Sequence, residues 1–365
     1  MRVVDPLAHT LVGVTLAKSG LEKRSGFATT ALVVGANLPD MDGITYFLGD
    51  DLPFLVRRGW THGLAAIFVL PLILAAVLVL LDRVLGYKRA RFNALLPLSF
   101  LAVASHPLLD WLNNYGMRWL MPFDGTWFYG DTLFIVDPWI WLALGGAAFL
   151  ATSREPVRVF TWIIAGAGTA FLMWIGPFDS APGRMVFFFG IGVFAVLRFL
   201  GLPRTDRGLE QFQRVALILV GVYILSMFAL SMAARRVALA EFRGRGIEVE
   251  RLMIGPVPMR PFNKDIMVRT PNDYRYGALT LWPSMTFKLD DNVIPRPQPS
   301  PILARALAQP EVRGFSNWAR FMWAEVIEEP EGHRVILHDA RLVRYKGPRE
   351  GFGTAMVFLP RDSAP

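Results

Sequence analysis

Through its first 235 residues this chain carries its apolar positions in long runs; beyond that they shorten and begin to alternate with polar ones. Six runs, at 64–81, 92–112, 133–150, 157–175, 185–200 and 215–233, have roughly the length of a helix that crosses a bilayer. Two shorter apolar segments precede them. The first, 5–20, opens with Asp5 as a cap and Pro6 at the first helical position. It is too short to span and is expected to be interfacial or re-entrant. The second, 27–38, runs into Asn37-Leu38-Pro39-Asp40-Met41-Asp42, where Pro39 disfavours helix at Leu38 and leaves Asp40 and Asp42 on a turn. From about Arg235 prolines and charges return. There 274–282 and 334–345 alternate as strands do, 295–301 is a stiff proline-rich connector, and 317–327 fits an amphipathic helix or a strand. The expected architecture is an all-α polytopic membrane helical bundle over 1–235, with about six spans, followed by a small β-rich (α+β) soluble domain over 236–365.

Composition agrees with that pattern. Of 365 residues, 53% are hydrophobic and 19% charged, which suits a polytopic membrane protein better than a soluble one. The net charge of +8 is not a nucleic-acid signal, because the Lys and Arg residues gather beside apolar runs and set orientation there. The basic loops 82–91, 151–158 and 201–214 alternate with the poorer loops 113–132 and 176–184. The expected placement is a bacterial-type inner (cytoplasmic) membrane, with the basic loops cytoplasmic and the C-terminal domain outside. The start, Met1-Arg2-Val3-Val4-Asp5-Pro6, lacks the layout of a cleaved signal, so insertion through internal spans is expected. The absence of cysteine excludes disulfides, thiolate metal sites and thiol nucleophiles, so any metal site must use His and carboxylate.

The candidate chemistry centres on Ser105-His106-Pro107-Leu108-Leu109-Asp110. His106 and Asp110 share one helix face one turn apart, a spacing that grips a single metal ion or forms a His–Asp hydrogen bond locking two helices. His62 stands at the mouth of the first span in Arg57-Arg58-Gly59-Trp60-Thr61-His62-Gly63, with Thr61 as a cap and Gly59 and Gly63 allowing close backbone approach. Arg57 and Arg58 fit phosphate or headgroup contacts, or ordinary interfacial anchors. His9 lies one turn into the first short segment. Three of the five histidines thus fall at predicted helix ends with Asp40, Asp42 or Asp110 within reach. Such a set suits a divalent metal, Zn²⁺ first, with Mn²⁺ or Fe²⁺ also compatible. Asp131 and Asp137 are candidate partners for a ligating histidine. The aromatics of 113–132 read as an interfacial belt. His333 and His338 lack a partner pattern and are expected to be structural or exposed.

The motifs Asp5-x-x-x-His9, Asn37-Leu38-Pro39-Asp40-x-Asp42, Arg58-Gly59-x-Thr61-His62 and His106-x-x-x-Asp110 resemble those of the YdjM-like predicted membrane-bound metal-dependent hydrolases. Tyr115-Gly116, Pro122-Phe123 and Asp131 to Asp137-Pro138 resemble the YfhP-type branch of that family. The resemblance covers about residues 1–240 and does not extend to the C-terminal domain. That family is distantly similar to zinc-dependent phospholipase C and P1-type nucleases. The similarity implies one metal on Asp40 or Asp42, His62, His106 and Asp110, and a second on His9 with Asp110 bridging. The second His-x-x-x-acid set of those enzymes has no match here, so a three-metal site is not expected.

The expected activity is hydrolysis of a phosphoester or other ester, with membrane lipids as partners and a lipid as substrate. The metal would activate water. Arg57 or Arg58 would hold the phosphate, and Asp40 or Asp42 would serve as general base. The competing expectation is a non-catalytic membrane regulator or scaffold in which the same cluster is a structural metal clamp. A metal transporter fits less well, because its ions would need acids or histidines in the later spans.

Overall fold

The structure is a computed structural model and describes residues 5–49, 51–176, 178–342 and 353–361. Helix α1 (Pro6–Lys18) starts as its sequence dictates: the Asp5 side chain accepts from the Ala8 amide, and Pro6 sits in the first turn. It packs against α2 (Ala28–Asn37). At Leu38 and Pro39 the α-helix tightens into a 3₁₀ segment, Leu38–Phe47. A single turn, α3 (Leu52–Val56), then leads into the spans.

Helices α4 (Leu64–Val84) and α5 (Phe92–Trp111) form an antiparallel hairpin. Its loop is closed by Asp82, whose carboxylate accepts from the Arg89 and Ala90 amides. Helix α6 (Pro138–Thr152) follows, then α7 (Pro156–Ile175), α8 (Ala181–Phe199) and α9 (Asp206–Gly244). Five of these, α4, α5, α7, α8 and α9, are long and apolar enough to cross a membrane. The run at 133–150, expected as a full span, yields only the 15-residue α6, because Asp137 caps it and Pro138 fixes its start. Helix α6 is instead a central post, with Ile140, Trp141, Leu144, Ala147 and Ala148 buried against α1, α8 and α9.

The change of composition near Arg235 does not end the last helix. Helix α9 continues to Gly244, a length of about 58 Å at 1.5 Å per residue, so it outruns a hydrocarbon core of roughly 30 Å. Ala234, Ala238 and Phe242, one turn apart each, pack under the first sheet. That sheet is an antiparallel meander of β1 (Arg251–Val257), β2 (Arg260–Arg269), β3 (Asp273–Thr280) and β4 (Thr286–Pro295). The proline-rich connector leads to α10 (Pro301–Leu307) and α11 (Arg313–Trp318). A second antiparallel sheet then joins β5 (Met322–Glu329), β6 (Gly332–Asp339) and β7 (Thr354–Pro360). The ambiguous stretch 317–327 thus ends α11 and begins β5, while 343–345 of the strand expected at 334–345 lie outside the described residues.

The β-rich part docks on one end of the bundle. Trp318 Nε1 donates to the Tyr115 carbonyl at 3.1 Å, and the Asp51 carboxylate accepts from the Gly314 and Phe315 amides at 2.8 Å each. Arg320 makes a two-pronged bond to Asp131, 2.8 Å to each oxygen. Part of the 113–132 loop is therefore a docking platform rather than an interfacial belt: Tyr115 and Trp127 join the core around Trp318 and Phe315, while Phe123 stays 90% exposed.

Candidate metal centre

The start of α4, the end of α5, the end of α2 and the start of α1 meet at the end of the bundle on which the β-rich part docks. Four side chains offer donor atoms all within 4.8 Å of one another: Asp40 from the 3₁₀ segment, His62 from the turn before α4, and His106 and Asp110 from α5. His62 and His106 are completely buried. Their Nε2 atoms face each other at 3.2 Å. Asp110 Oδ2 lies 3.4 Å from His62 Nε2 and 3.7 Å from His106 Nε2; Asp40 Oδ1 lies 3.9 and 3.7 Å from the same atoms. Ligands at zinc bond lengths stand about 3.3–3.6 Å apart in a tetrahedron, so these separations fit a single centre.

Each histidine is oriented from its far side. His106 Nδ1 donates to the Ala36 carbonyl at 2.7 Å, which leaves its Nε2 as a lone pair. His62 Nδ1 faces Asp42 Oδ2 at 3.2 Å and Thr61 Oγ1 at 2.9 Å, and the Thr61 hydroxyl itself donates to Asp42 Oδ2 at 2.7 Å. Burial pushes the His62 pKa down, but hydrogen bonds and charge from Asp110 and Asp42 outweigh it and raise it to about 9. Asp110 and Asp42 thus favour a protonated His62 when no cation is bound. A divalent cation would take that proton's place.

Charge counting points the same way. Arg57 and Arg58 are buried and spend their guanidiniums on the cluster's carboxylates. Arg57 Nη2 binds Asp40 at 2.7 Å, its Nε binds Asp42 at 3.2 Å, and its Nη1 donates to the Tyr46 hydroxyl at 2.8 Å. Arg58 Nη2 binds Asp110 Oδ1 at 2.8 Å, its Nη1 binds Asn113 Oδ1 at 2.9 Å, and its guanidinium stacks on the Tyr115 ring. With all three carboxylates ionised, two guanidiniums leave one negative charge, which a buried site neutralises with a cation. Asp40 Oδ2 is buried without a hydrogen-bond partner, an orphan polar atom at the centre's edge. Burial first, and the Asp110 charge second, raise the Asp40 pKa. Burial also pushes Asp42 upward, but His62, Arg57 and Thr61 hold it below the usual carboxylate value.

These positions redistribute several expected roles. Asp42, an expected alternative ligand, sits behind His62 with both oxygens taken, Oδ2 also accepting from the Arg58 amide at 3.0 Å. His9 lies beside the four donors rather than among them: its ring stacks on His106 at 3.6 Å and its Nε2 is 3.6 Å from Asp110 Oδ1. Arg58 already occupies that oxygen, which disfavours Asp110 as a bridge to a second metal. Arg57 and Arg58 hold ligand carboxylates in place of the phosphate or headgroup expected of them. Thr61 supports Asp42 and does not cap α4, whose first turn follows Gly63. Asp131 and Asp137 do not reach the histidines; Asp131 pairs with Arg320, and Asp137 caps α6 and accepts from Tyr223. His333 and His338 lie in the second sheet, His338 buried and stacked on Trp323.

Gly59 and Gly63 have the expected reason to be glycine. A Cβ at Gly63 would stand 2.6 Å from the Met121 carbonyl oxygen, and one at Gly59 2.8 Å from Arg118 Nη2. Asn113 is the contributor that sequence reading missed. It lies three residues past Asp110, in the bend after α5 ends at Trp111, and that nearness to the His106/Asp110 motif was its one available signal.

Fold and site together define a polytopic helical membrane protein with a buried His/Asp cluster at one end of its bundle. Residues 4–178, which hold the whole cluster, match the family model described as YdjM inner membrane protein. A Bacillus subtilis (strain 168) relative described as "Uncharacterized protein YfhP" is 28% identical over 113 residues, covering 31% of this chain. The match spans 33% of that relative, about a third of its length. No solved structure matches the chain. The further likeness to phospholipase C and P1-type nucleases has no counterpart among these matches.

Proposed function

We propose that the chain is a membrane-bound metal-dependent hydrolase acting on a phosphoester or other ester of a lipid. The observation that carries this reading is the convergence of Asp40, His62, His106 and Asp110 on one point, with two imidazole Nε2 atoms 3.2 Å apart. These four would hold the cation, zinc first by the nitrogen and oxygen donor set, with manganese or iron compatible. A cation held here supplies Lewis-acid chemistry: it makes a water more acidic and polarises an ester oxygen.

The chain's own residues do the remaining work. His106 is fixed by Ala36 and His62 by Asp42, so both imidazoles are aimed before anything binds. Arg57 and Arg58 position Asp40 and Asp110 and offset their charge. Asp40 is the least buried of the four, and its unpartnered Oδ2 and raised pKa suit it to accept a proton from attacking water.

A lipid fits as substrate because the segment that turns Asp40 and Asp42 inward turns an apolar edge outward. Met41, Ile44, Phe47 and Leu48 are exposed there, Phe47 by 84%, and α4 begins just beyond His62. Such an edge is at home against acyl chains. We place this end of the bundle on the extracytoplasmic face, since the opposite end carries the basic loops.

The number of protein donors favours a second reading. Four protein ligands are typical of closed structural zinc sites, whereas catalytic ones keep a position open. In that reading the cluster is a clamp in a membrane regulator. Hydrolysis of a generic phosphodiester and of phospholipid vesicles by detergent-purified protein, with and without a chelator, separates the two. Chelator-sensitive turnover that Asp40→Asn abolishes supports the hydrolase. Retained metal with no turnover across the panel supports the clamp.

A further inference from the structure

Between the two sheets of the β-rich part, closed on one side by α10 and α11, lies a cavity of about 450 Å³. Four arginines line it: Arg251 on β1, Arg269 on β2, Arg296 after β4 and Arg320 before β5. Arg251 and Arg269 are register partners across β1 and β2, an arrangement of like charges that costs stability unless something negative lies between them. Two carboxylates answer the four guanidiniums. Glu250 pairs with Arg269 at 2.9 Å and Arg296 at 3.1 Å, and Asp131 pairs with Arg320 at 2.8 Å. Arg251 makes one long bond, 3.3 Å to the Arg320 carbonyl, and has no ion-pair partner among the described residues. Two positive charges are left uncompensated. The opposite wall is apolar, formed by Leu303, Ala304 and Leu307 of α10.

We propose that this cavity is a binding site for a phosphate monoester with an apolar arm, its dianion held by Arg251 and Arg269 and its arm lying along α10. A dianion matches the two uncompensated charges, and planar guanidiniums suit phosphate oxygens through paired hydrogen bonds. The volume falls within the range of small-molecule sites, and a largely apolar wall beside a few charged groups is their usual make-up. The site uses none of the metal-cluster residues and stands or falls without them.

The test is titration calorimetry on the full chain in detergent, with a chelator present so that the metal centre does not contribute. The probes are hexyl phosphate, glycerol 3-phosphate and inorganic phosphate. Hexyl phosphate should bind most tightly. Arg251→Gln, at an exposed position, should weaken hexyl phosphate and inorganic phosphate roughly tenfold each. Ala304→Trp should block hexyl phosphate and spare inorganic phosphate. Absence of binding by every probe, or affinities unchanged in Arg251→Gln, would overturn the site. Glycerol 3-phosphate binding as well as hexyl phosphate would overturn the apolar arm.

Discussion

Helices α4 and α5 and helices α7 and α8 are pairs of nearly equal length, 21 and 20 residues against 20 and 19, yet the molecule uses them in opposite ways. In the first pair 33% and 39% of the apolar window is buried within the protein; in the second, 6% and 11%. The difference follows from what they carry. His62 stands at the start of α4, and α5 holds His106 and Asp110, groups that need protein partners in a medium of low dielectric. Helices α7 and α8 contain neither acid nor histidine, and lipid solvates their side chains as well as protein would. Between these two pairs, then, polar chemistry rather than apolarity separates the helices that pack inward from those left to lipid.

In the first pair the most charged contact should be the costliest to lose. Arg58→Ala removes the partner of a buried carboxylate, Asp110, and is expected to destabilise the fold by about 3–5 kcal/mol, read as a drop in melting temperature in detergent. A melting temperature equal to the wild type's would mean that the cluster's charges are not coupled as described. Gly63→Ala forces a Cβ onto the Met121 carbonyl and should cost roughly 1–3 kcal/mol, with metal affinity falling as His62 moves.

Asp42→Asn leaves all four donors in place and should weaken metal binding by about 10–100-fold in a chelator competition, since Asp42 supports His62 from behind rather than holding the ion. An unchanged affinity would remove Asp42 from the supporting role. Acidity should sharpen the same measurement. His62 keeps its proton up to about pH 9 in the metal-free protein, so metal binding must displace it. Below that pKa apparent affinity should fall as pH drops, by roughly tenfold per unit, and level off above it. A flat profile between pH 6 and 8 would contradict a His62 held protonated by Asp110 and Asp42. The smallest effect belongs to the other helix pair: Phe171→Leu on the lipid-facing side of α7 should stay within about 0.5 kcal/mol of wild type.

Much of this contrast could be read from residue order. The family likeness rested on motifs that the structure brings to one end of the bundle, and the helical bundle with a β-rich C-terminal part is as the patterning implied. What residue order could not give was direction. Asp40 and Asp42 are alike in sequence, but the 3₁₀ path of Leu38–Phe47 sets Asp40 among the donors and Asp42 behind His62. Arg57 and Arg58 fitted phosphate contacts or interfacial anchors beside a span; the loop folds inward because the carboxylates of Asp40, Asp42 and Asp110 demand them. The length of α9 was underestimated because the charges that break its apolar run do not break its helical register, and Ala238 and Phe242 still face the sheet.

One ion shared by residues from separate segments is what would tie this end of the bundle together. Elemental analysis of the detergent-purified chain tests it directly, alongside a His106→Ala variant whose membrane insertion and circular dichroism match the wild type. The account predicts about one divalent cation per chain in the wild type and none retained by the variant. Equal metal content in the two proteins, or none in either after purification and zinc reconstitution, would contradict it.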